Sequence, residues 1–306
     1  RNYTKQGFEK ASAKFGEDAY QTPASVIITG ANSGIGKSAA LQLASTNATV
    51  HMVCRSQNRG EAAREEIVEA SGNKKVFLHI VDMSSASDIN SFVDEMKAQD
   101  KISVLVNNAG CMVNERRFTD DGHELNYATN ILGTVQLTEG LIPLMEENGR
   151  VITVSSGGML LQKLNEKDPG LTTMSESDFE GTMVYAQQKR QQVVLTELWA
   201  KQHTGITFVS MHPGWADTPA VASSMPDFHK KMEGRLRTSA EGADTIVWLA
   251  QVASLPADAN GAFFQDRAPV AKHLPLAWTR SSDAEKQTFF KTVRDSVNAR
   301  VESLQQ

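Results

Sequence analysis

The sequence predicts a doubly wound α/β fold, a single domain built on one parallel sheet of about seven strands with helices on both faces. Three observations carry this reading. Short β-branched runs alternate with helical patterns along nearly the whole chain. Those runs are apolar on both faces, as strands buried between two helical layers must be. No long Pro/Gly/Ser linker and no internal repeat divides the 306 residues into separate cores.

The elements follow in order. Residues 26–29 read as the first strand and 34–45 as the first helix, and the unit recurs at 49–54 with 59–70 and at 76–81 with 87–98. Strand 102–106 leads into a long helical stretch over 122–147, followed by strand 151–154, helix 183–202, strand 206–210, helix 240–253 and strand 262–265. Two irregular stretches, 157–182 and 219–237, follow strands on one edge of the sheet, where ligands bind in this architecture. The core is expected over 25–265, between an N-terminal extension (1–24) and a C-terminal one (266–306) whose residues 282–303 form a capped, charged surface helix. Tyr3, Phe8, Ala11 and Phe15 among Lys5, Lys10 and Lys14 suggest an amphipathic helix docked on the protein's own surface, with membrane contact as the alternative.

Composition narrows the partners. With 40% hydrophobic and 22% charged residues, and 31 Lys plus Arg against 36 Asp plus Glu, the chain is an ordinary globular one of formal charge −5. That balance gives no bulk attraction to nucleic acid or an anionic membrane, so a small molecule is the expected partner. Cys54 and Cys111 are too few for a disulfide framework and fit an intracellular, probable cytoplasmic setting, with peripheral membrane association left open. The sequons at Asn2 and Asn47 carry no weight without a secretory context. No apolar run approaches the roughly 20 residues needed to cross a bilayer. The sequence opens at Arg1 rather than Met and carries no information on any targeting segment ahead of it. No metal is expected.

Thr29-Gly30-Ala31-Asn32-Ser33-Gly34-Ile35-Gly36 closes the first strand and opens the first helix. Glycines placed there let the backbone turn tightly and approach a pyrophosphate, which meets free N–H groups and the positive end of the helix dipole. The overlapping Ala31-Asn32-Ser33-Gly34-Ile35-Gly36-Lys37-Ser38 is close to a P-loop except that Ala31 replaces its first Gly, with 76–82 as a rival strand ending in Asp82, so a P-loop NTPase is the competing reading. The second strand ends in Cys54-Arg55 rather than a carboxylate. A guanidinium there grips a 2'-phosphate that an acidic residue would repel, so NADP(H) is favoured over NAD(H), with Lys37 as a second phosphate contact.

Of four tyrosines, only Tyr185 has a lysine four residues on, Lys189, on the same face of helix 183–202. A cation within about 4–6 Å of a phenol favours its ionised form, which would make Tyr185 a usable acid or base. The Ser155/Ser156 pair, Asn107-Asn108-Ala109-Gly110, Asn130 at mid-helix and His212-Pro213-Gly214 with Thr218 gather on the same sheet edge.

TGANSGIG, NNAG, Asn130, the serine pair, YAQQK and HPGWADT, in this order over about residues 25–265, resemble the short-chain dehydrogenase/reductase superfamily. The resemblance implies a Rossmann-type sheet and an NADP(H)-dependent oxidoreductase that transfers a hydride between nicotinamide and a carbonyl or alcohol. It implies that Tyr185 moves the proton, that Lys189 lowers the pKa of Tyr185 and binds the nicotinamide ribose, that Ser156 orients the substrate oxygen and that Asn130 holds a relay water. Asp82, with Met83 beside it, would contact adenine; Asn108, Ala109 and Gly110 would line the adenosine side; and Thr218 would bind the nicotinamide amide, with Pro213 and Gly214 as further cofactor contacts. The gap from Ser156 to Tyr185 is 185 − 156 = 29, longer than in compact members, and period-two alternation lets only one of Ser155 and Ser156 serve, so that choice stays open. A homo-oligomer is the expected assembly. Apolar residues of the insertion (Met159, Leu160, Leu161, Leu164, Leu171, Met174, Phe179) and of the later loop (Val221, Met225, Phe228, Met232) either line a pocket for a lipophilic substrate such as a retinoid, steroid or fatty aldehyde, or merely pack onto the body. A non-catalytic NADP(H) sensor or scaffold is the alternative function.

Overall fold

The computed structural model describes residues 2–304. In chain order the elements are α1 (Lys5–Ser12), β1 (Ser25–Thr29), α2 (Gly34–Ala44), β2 (Thr49–Cys54), α3 (Gln57–Ser71), β3 (Val76–Ile80), α4 (Ala86–Met96), β4 (Ile102–Asn107), α5 (Leu125–Tyr127), α6 (Gly133–Leu141), β5 (Met145–Val154), α7 (Gly181–Gln202), β6 (Thr207–Met211), α8 (Pro219–Ser224), α9 (Pro226–Lys231), α10 (Ser239–Gln251), β7 (Phe263–Gln265), β8 (Ala268–Pro269) and α11 (Asp283–Ser303). One sheet of eight strands runs β3-β2-β1-β4-β5-β6-β7-β8. All neighbours pair in parallel except β7 and β8. This is the Rossmann-type sheet expected, extended by a two-residue antiparallel edge.

Its apolar strands are buried because each face carries its own core. Val26, Ile28, Val50, Met52, Val104 and Val106 pack with Ala39, Leu43, Ile246 and Leu249 on one side. Ile27, Leu105 and Val151 pack with Ile89, Phe92, Leu137, Leu195 and Trp199 on the other. The strand order reverses between β1 and β4, and their parallel register sets Ile28 beside Val106, so the chain leaves both strands side by side. A crevice at the carboxyl edge opens there.

Two expectations shift, and a third holds. The long helix over 122–147 is instead shorter: it starts at Leu125, passes through a π-helical turn at Ala128–Leu132 and ends near Leu144, and residues 145–150 extend β5. The stretch 219–237 holds two short helices, α8 and α9. The N-terminal extension docks on the body, as its amphipathic pattern suggested. Trp215 N–H donates to Tyr3 O at 2.7 Å, Trp248 Nε1 donates to Asp18 Oδ2 at 2.8 Å, and Tyr20 bridges Val252. Arg237 and Arg267 lie 5.3 and 4.2 Å from the rings of Phe8 and Phe15. Among the described residues no helix is long and apolar enough to cross a membrane.

Candidate active site

β1 ends at Thr29, and the chain turns through Gly30 (φ 67°) and Gly34 (φ 54°), left-handed conformations that a side chain would strain. A Cβ on Gly30 would stand 3.0 Å from Asn108 Nδ2 and 3.1 Å from Ala109 Cα, and one on Gly36 would collide with Gly30 O and Asn108 Nδ2. Asn108 causes this closeness. Its Nδ2 donates to Thr29 O at 2.8 Å, while its own N–H and that of Ala109 donate to Thr29 Oγ1 at 3.0 and 2.9 Å. The two strand ends are laced together, and bare backbone at the start of α2 faces the crevice, a cradle suited to a diphosphate.

A cavity of about 390 Å³ opens over this turn. It gathers Gly30, Asn32, Ser33, Gly34, Ile35, Gly36, Arg55, Asp82, Met83, Asn108, Ala109, Gly110, Ser156, Tyr185, Lys189, Pro213, Gly214 and Thr218 on one continuous wall. Thr218 caps α8, and its side chain would meet a Cβ on Gly34 at 3.2 Å, so it closes over the glycine turn. Asp82 is held on the rim by Ser84, whose N–H and Oγ donate to Oδ1 at 2.8 and 2.7 Å. Sequence reasoning missed Arg59, which lines the cavity with Arg55 from the first turn of α3. Its signal was the spacing of four from Arg55. Lys37 takes another course: it pairs with Glu66 on α3 and does not line the cavity, so the expected phosphate contact is not made and the P-loop reading loses its lysine.

At the far end α7 presents Tyr185 and Lys189, its first turn capped by Glu180, which accepts from Thr182 and Met183 N–H at 3.2 and 2.8 Å. Lys189 Nζ lies 5.2 Å from the centre of the Tyr185 ring. Nζ donates to Val154 O at the end of β5 at 2.7 Å and to Gln192 Oε1 at 3.0 Å. Burial dominates the electrostatics. It pushes the Tyr185 phenol above its ordinary range and brings the Lys189 amine down to about 7, against the milder upward pull of Cys111. Burial therefore outweighs any lowering of the phenol by its lysine, and both groups are biased toward their neutral forms.

Both serines border the cavity, but their hydroxyls have different partners. Ser155 is buried and its Oγ donates to Lys189 O at 2.9 Å, so its hydroxyl is committed to the α7 backbone. Ser156 is partly exposed on the cavity wall, its Oγ bonded only by Gly158 N–H at 3.3 Å. Asn130 does not line the cavity. Fully buried within the π-helical turn, it donates through Nδ2 to Cys111 O at 2.8 Å and Gln188 Oε1 at 2.6 Å, accepts from Cys111 N–H at 2.8 Å, and its carbonyl takes Gln192 Nε2 at 2.9 Å. His212 accepts from Gly157 N–H at Nδ1, 3.1 Å, which leaves the ring proton on Nε2; burial and Arg237 hold its pKa down to about 3, so it is neutral. Cys111 and Cys54 are both free, and burial pushes each thiol up to about 11.

Of the apolar candidates, Val221, Met225 and Phe228 line the cavity, together with Trp215, whose ring meets Phe228 edge-on at 5.3 Å. Met232 is buried elsewhere. Part of the insertion packs instead: Met159 and Leu160 form a small cluster with Val193 and Phe263, and Leu164 joins the core that holds Trp199, whereas Leu161 is exposed. Arg190 holds it by donating to Met159 O and Gln162 O at 2.8 and 3.0 Å, and Arg116 by donating to Met174 O at 2.6 Å.

The short chain dehydrogenase family profile matches residues 24–165. The chain is 54% identical to Dehydrogenase/reductase SDR family member 12 of Homo sapiens over 95% of its own length and 92% of the relative's. It is 33% identical to human Retinol dehydrogenase 12 over 79% of this chain and 77% of that one. Among solved structures, an uncharacterised protein from Mycobacterium paratuberculosis superposes with a TM-score of 0.72 at 24% identity, covering 92% of this chain and 96% of the other. A short chain dehydrogenase from Burkholderia cenocepacia in complex with NADP gives 0.61 at 21% identity, over 78% and 94%. The chain belongs to the short-chain dehydrogenase/reductase family of oxidoreductases.

Proposed function

We propose that this protein is an NADP(H)-dependent reductase of apolar carbonyl compounds, with Tyr185 as its acid. The single observation that carries the reading is the placement of Tyr185 and Lys189, 5.2 Å apart, on the wall of the same cavity as the glycine turn. The cradle fits a dinucleotide, because Gly30 and Gly36 leave no room for side chains there and the rim carries two guanidiniums, Arg55 and Arg59, suited to a 2'-phosphate. When bound, the nicotinamide supplies or accepts the hydride.

The protein's own residues do the rest. Ser156, the serine with an available hydroxyl, orients the carbonyl oxygen. Tyr185 donates the proton, and burial suits it to that role because the phenol stays protonated at neutral pH. As charge develops on the phenol oxygen, the Lys189 ammonium stabilises it. That help is present below about pH 7 and fades as the amine deprotonates, so reduction weakens on the alkaline side. Asn130 acts from behind the wall. Trp215, Val221, Met225 and Phe228 exclude water and favour an apolar substrate, and the relative named as a retinol dehydrogenase supports a lipophilic alcohol or aldehyde.

The test is NADPH oxidation against a panel of retinoid, steroid and fatty carbonyls. Turnover by the native protein that vanishes in Tyr185→Phe, with NADPH binding retained, is the expected result. Equal turnover in both removes Tyr185 from the chemistry. NADPH binding without turnover on any carbonyl or alcohol makes the protein a cofactor-binding scaffold.

A further inference from the structure

We propose that Gln192 is a positioning residue that anchors Lys189 to the Asn130 carbonyl, in the place where the family resemblance expects a water. This deepens the reading in which Lys189 assists Tyr185, and rests on it. The geometry is a closed chain of buried groups. Lys189 Nζ donates to Gln192 Oε1 at 3.0 Å, and Gln192 Nε2 donates to Asn130 O at 2.9 Å. Gln192 is 1% exposed and Asn130 fully buried. The Asn130 side chain is fixed in turn by Cys111 and Gln188, so the carbonyl that receives Gln192 cannot wander.

The chemistry differs from that of a water. A water accepts one proton and releases another, whereas a primary amide offers a fixed acceptor and fixed donors and does not pass a proton along at neutral pH. The link from Lys189 to Asn130 is therefore an anchor, and a proton reaches Tyr185 from the cavity side. The anchor also acts on charge. A carbonyl oxygen accepting from an ammonium favours the charged form, and with Val154 O it offsets part of the burial that drives Lys189 toward neutrality. The titratable groups that face Lys189 are Tyr185 on its own helix and Cys111 on the segment after β4. Both thiol and phenol are held neutral well above pH 8, so the amine alone titrates near neutrality.

Two near-isosteric changes have opposite signs. Gln192→Leu removes the acceptor and lowers the pH at which Lys189 loses its proton by about one unit; Gln192→Glu puts a carboxylate beside the ammonium and raises it by about one unit. Two readouts follow this in the full chain. The first is the pH dependence of reductive methylation of Lys189 in the cofactor-free protein, read by mass spectrometry of the peptide that carries it. The second is the alkaline limb of carbonyl reduction. Opposite displacements of the methylation midpoint support the proposal, and equal midpoints in all three proteins overturn it. Leucine at 192 is the variant at risk of misfolding, and the glutamate variant against the native chain alone decides the sign. Methylation needs no turnover, so a native protein that reduces nothing sinks the functional reading while the anchor is still judged.

Discussion

Replacing Lys189 with methionine should make the protein more stable and inactive at once. Lys189 is 2% exposed, and burial brings its pKa from the ordinary 10.5 down to about 7. At about 1.4 kcal/mol per pH unit, that fall corresponds to about 5 kcal/mol withheld from folding below pH 7. The sign follows from proton counts. Between about pH 7 and 10.5 the unfolded chain binds a proton that the folded one has released, so native stability rises with pH across that window. Methionine has similar length and carries no such penalty. Against this, Val154 O and Gln192 Oε1 lose a donor and Tyr185 loses a cation, at about 1 kcal/mol each. The net is a gain of about 2 kcal/mol at pH 6, turning into a loss of about 3 kcal/mol near pH 10.5, where the native amine has shed the penalty of about 5 kcal/mol but is still hydrogen-bonded. Urea unfolding of both proteins at pH 6 and pH 10 measures it. A variant less stable than the native chain at pH 6, or a difference that ignores pH, refutes the account of Lys189 as a buried, strained cation.

Arg55→Asp should weaken NADPH binding by about a hundredfold while leaving NADH nearly unchanged, since a carboxylate would repel the 2'-phosphate; fluorescence titration with both nucleotides checks it, and an unaltered preference would place recognition on Arg59. Ser156→Ala should lower turnover by about two orders of magnitude with little change in melting temperature. Ser155→Ala should do the reverse, costing about 1 kcal/mol through the lost bond to Lys189 O while turnover persists. Paired kinetics and thermal melts of the two alanine variants separate them, and a reversed pattern would exchange their roles.

What could be read from the sequence was whatever depends on near neighbours in the chain. The glycine turn is local, because its φ angles and its position between β1 and α2 are set within a few residues. Tyr185 and Lys189 share a helix face by spacing alone. The choice between Ser155 and Ser156 was not local. It depends on where the α7 backbone runs, and only Ser155 meets a carbonyl there. The insertion was ambiguous for the same reason, since apolar residues such as Met159 and Leu164 read alike whether they face a substrate or, as here, a core. The end of the helix over 122–147 was misplaced because Glu146, Glu147 and Asn148 lack strand character, and β5 takes them in only as an irregularity between its Met145–Ile102 and Arg150–Val104 pairs with β4.

The six consecutive polar residues at the heart of α7 show how far tertiary context can override pattern. A polar run such as Gln187, Gln188, Lys189, Arg190, Gln191 and Gln192, which goes right round the helix, is seldom buried. In the fold every one of them is at most 6% exposed. Burying polar groups is tolerable only if each finds a partner. Gln188 accepts from Asn130, Arg190 donates to Met159 O and to Lys272 O, Gln191 donates to Pro169 O, and Gln192 joins Lys189 to Asn130, while Gln191 Oε1 is the exception, buried with no hydrogen-bond partner among the described residues. The run contains no carboxylate, so Lys189 is balanced by neutral oxygens alone. A neighbouring Asp or Glu would keep the amine charged to a higher pH and pin it in an ion pair. With amide and backbone acceptors in its place, burial brings Lys189 down to about 7 beside Tyr185, and the polar run thereby sets the electrostatics on which the proposed proton transfer depends.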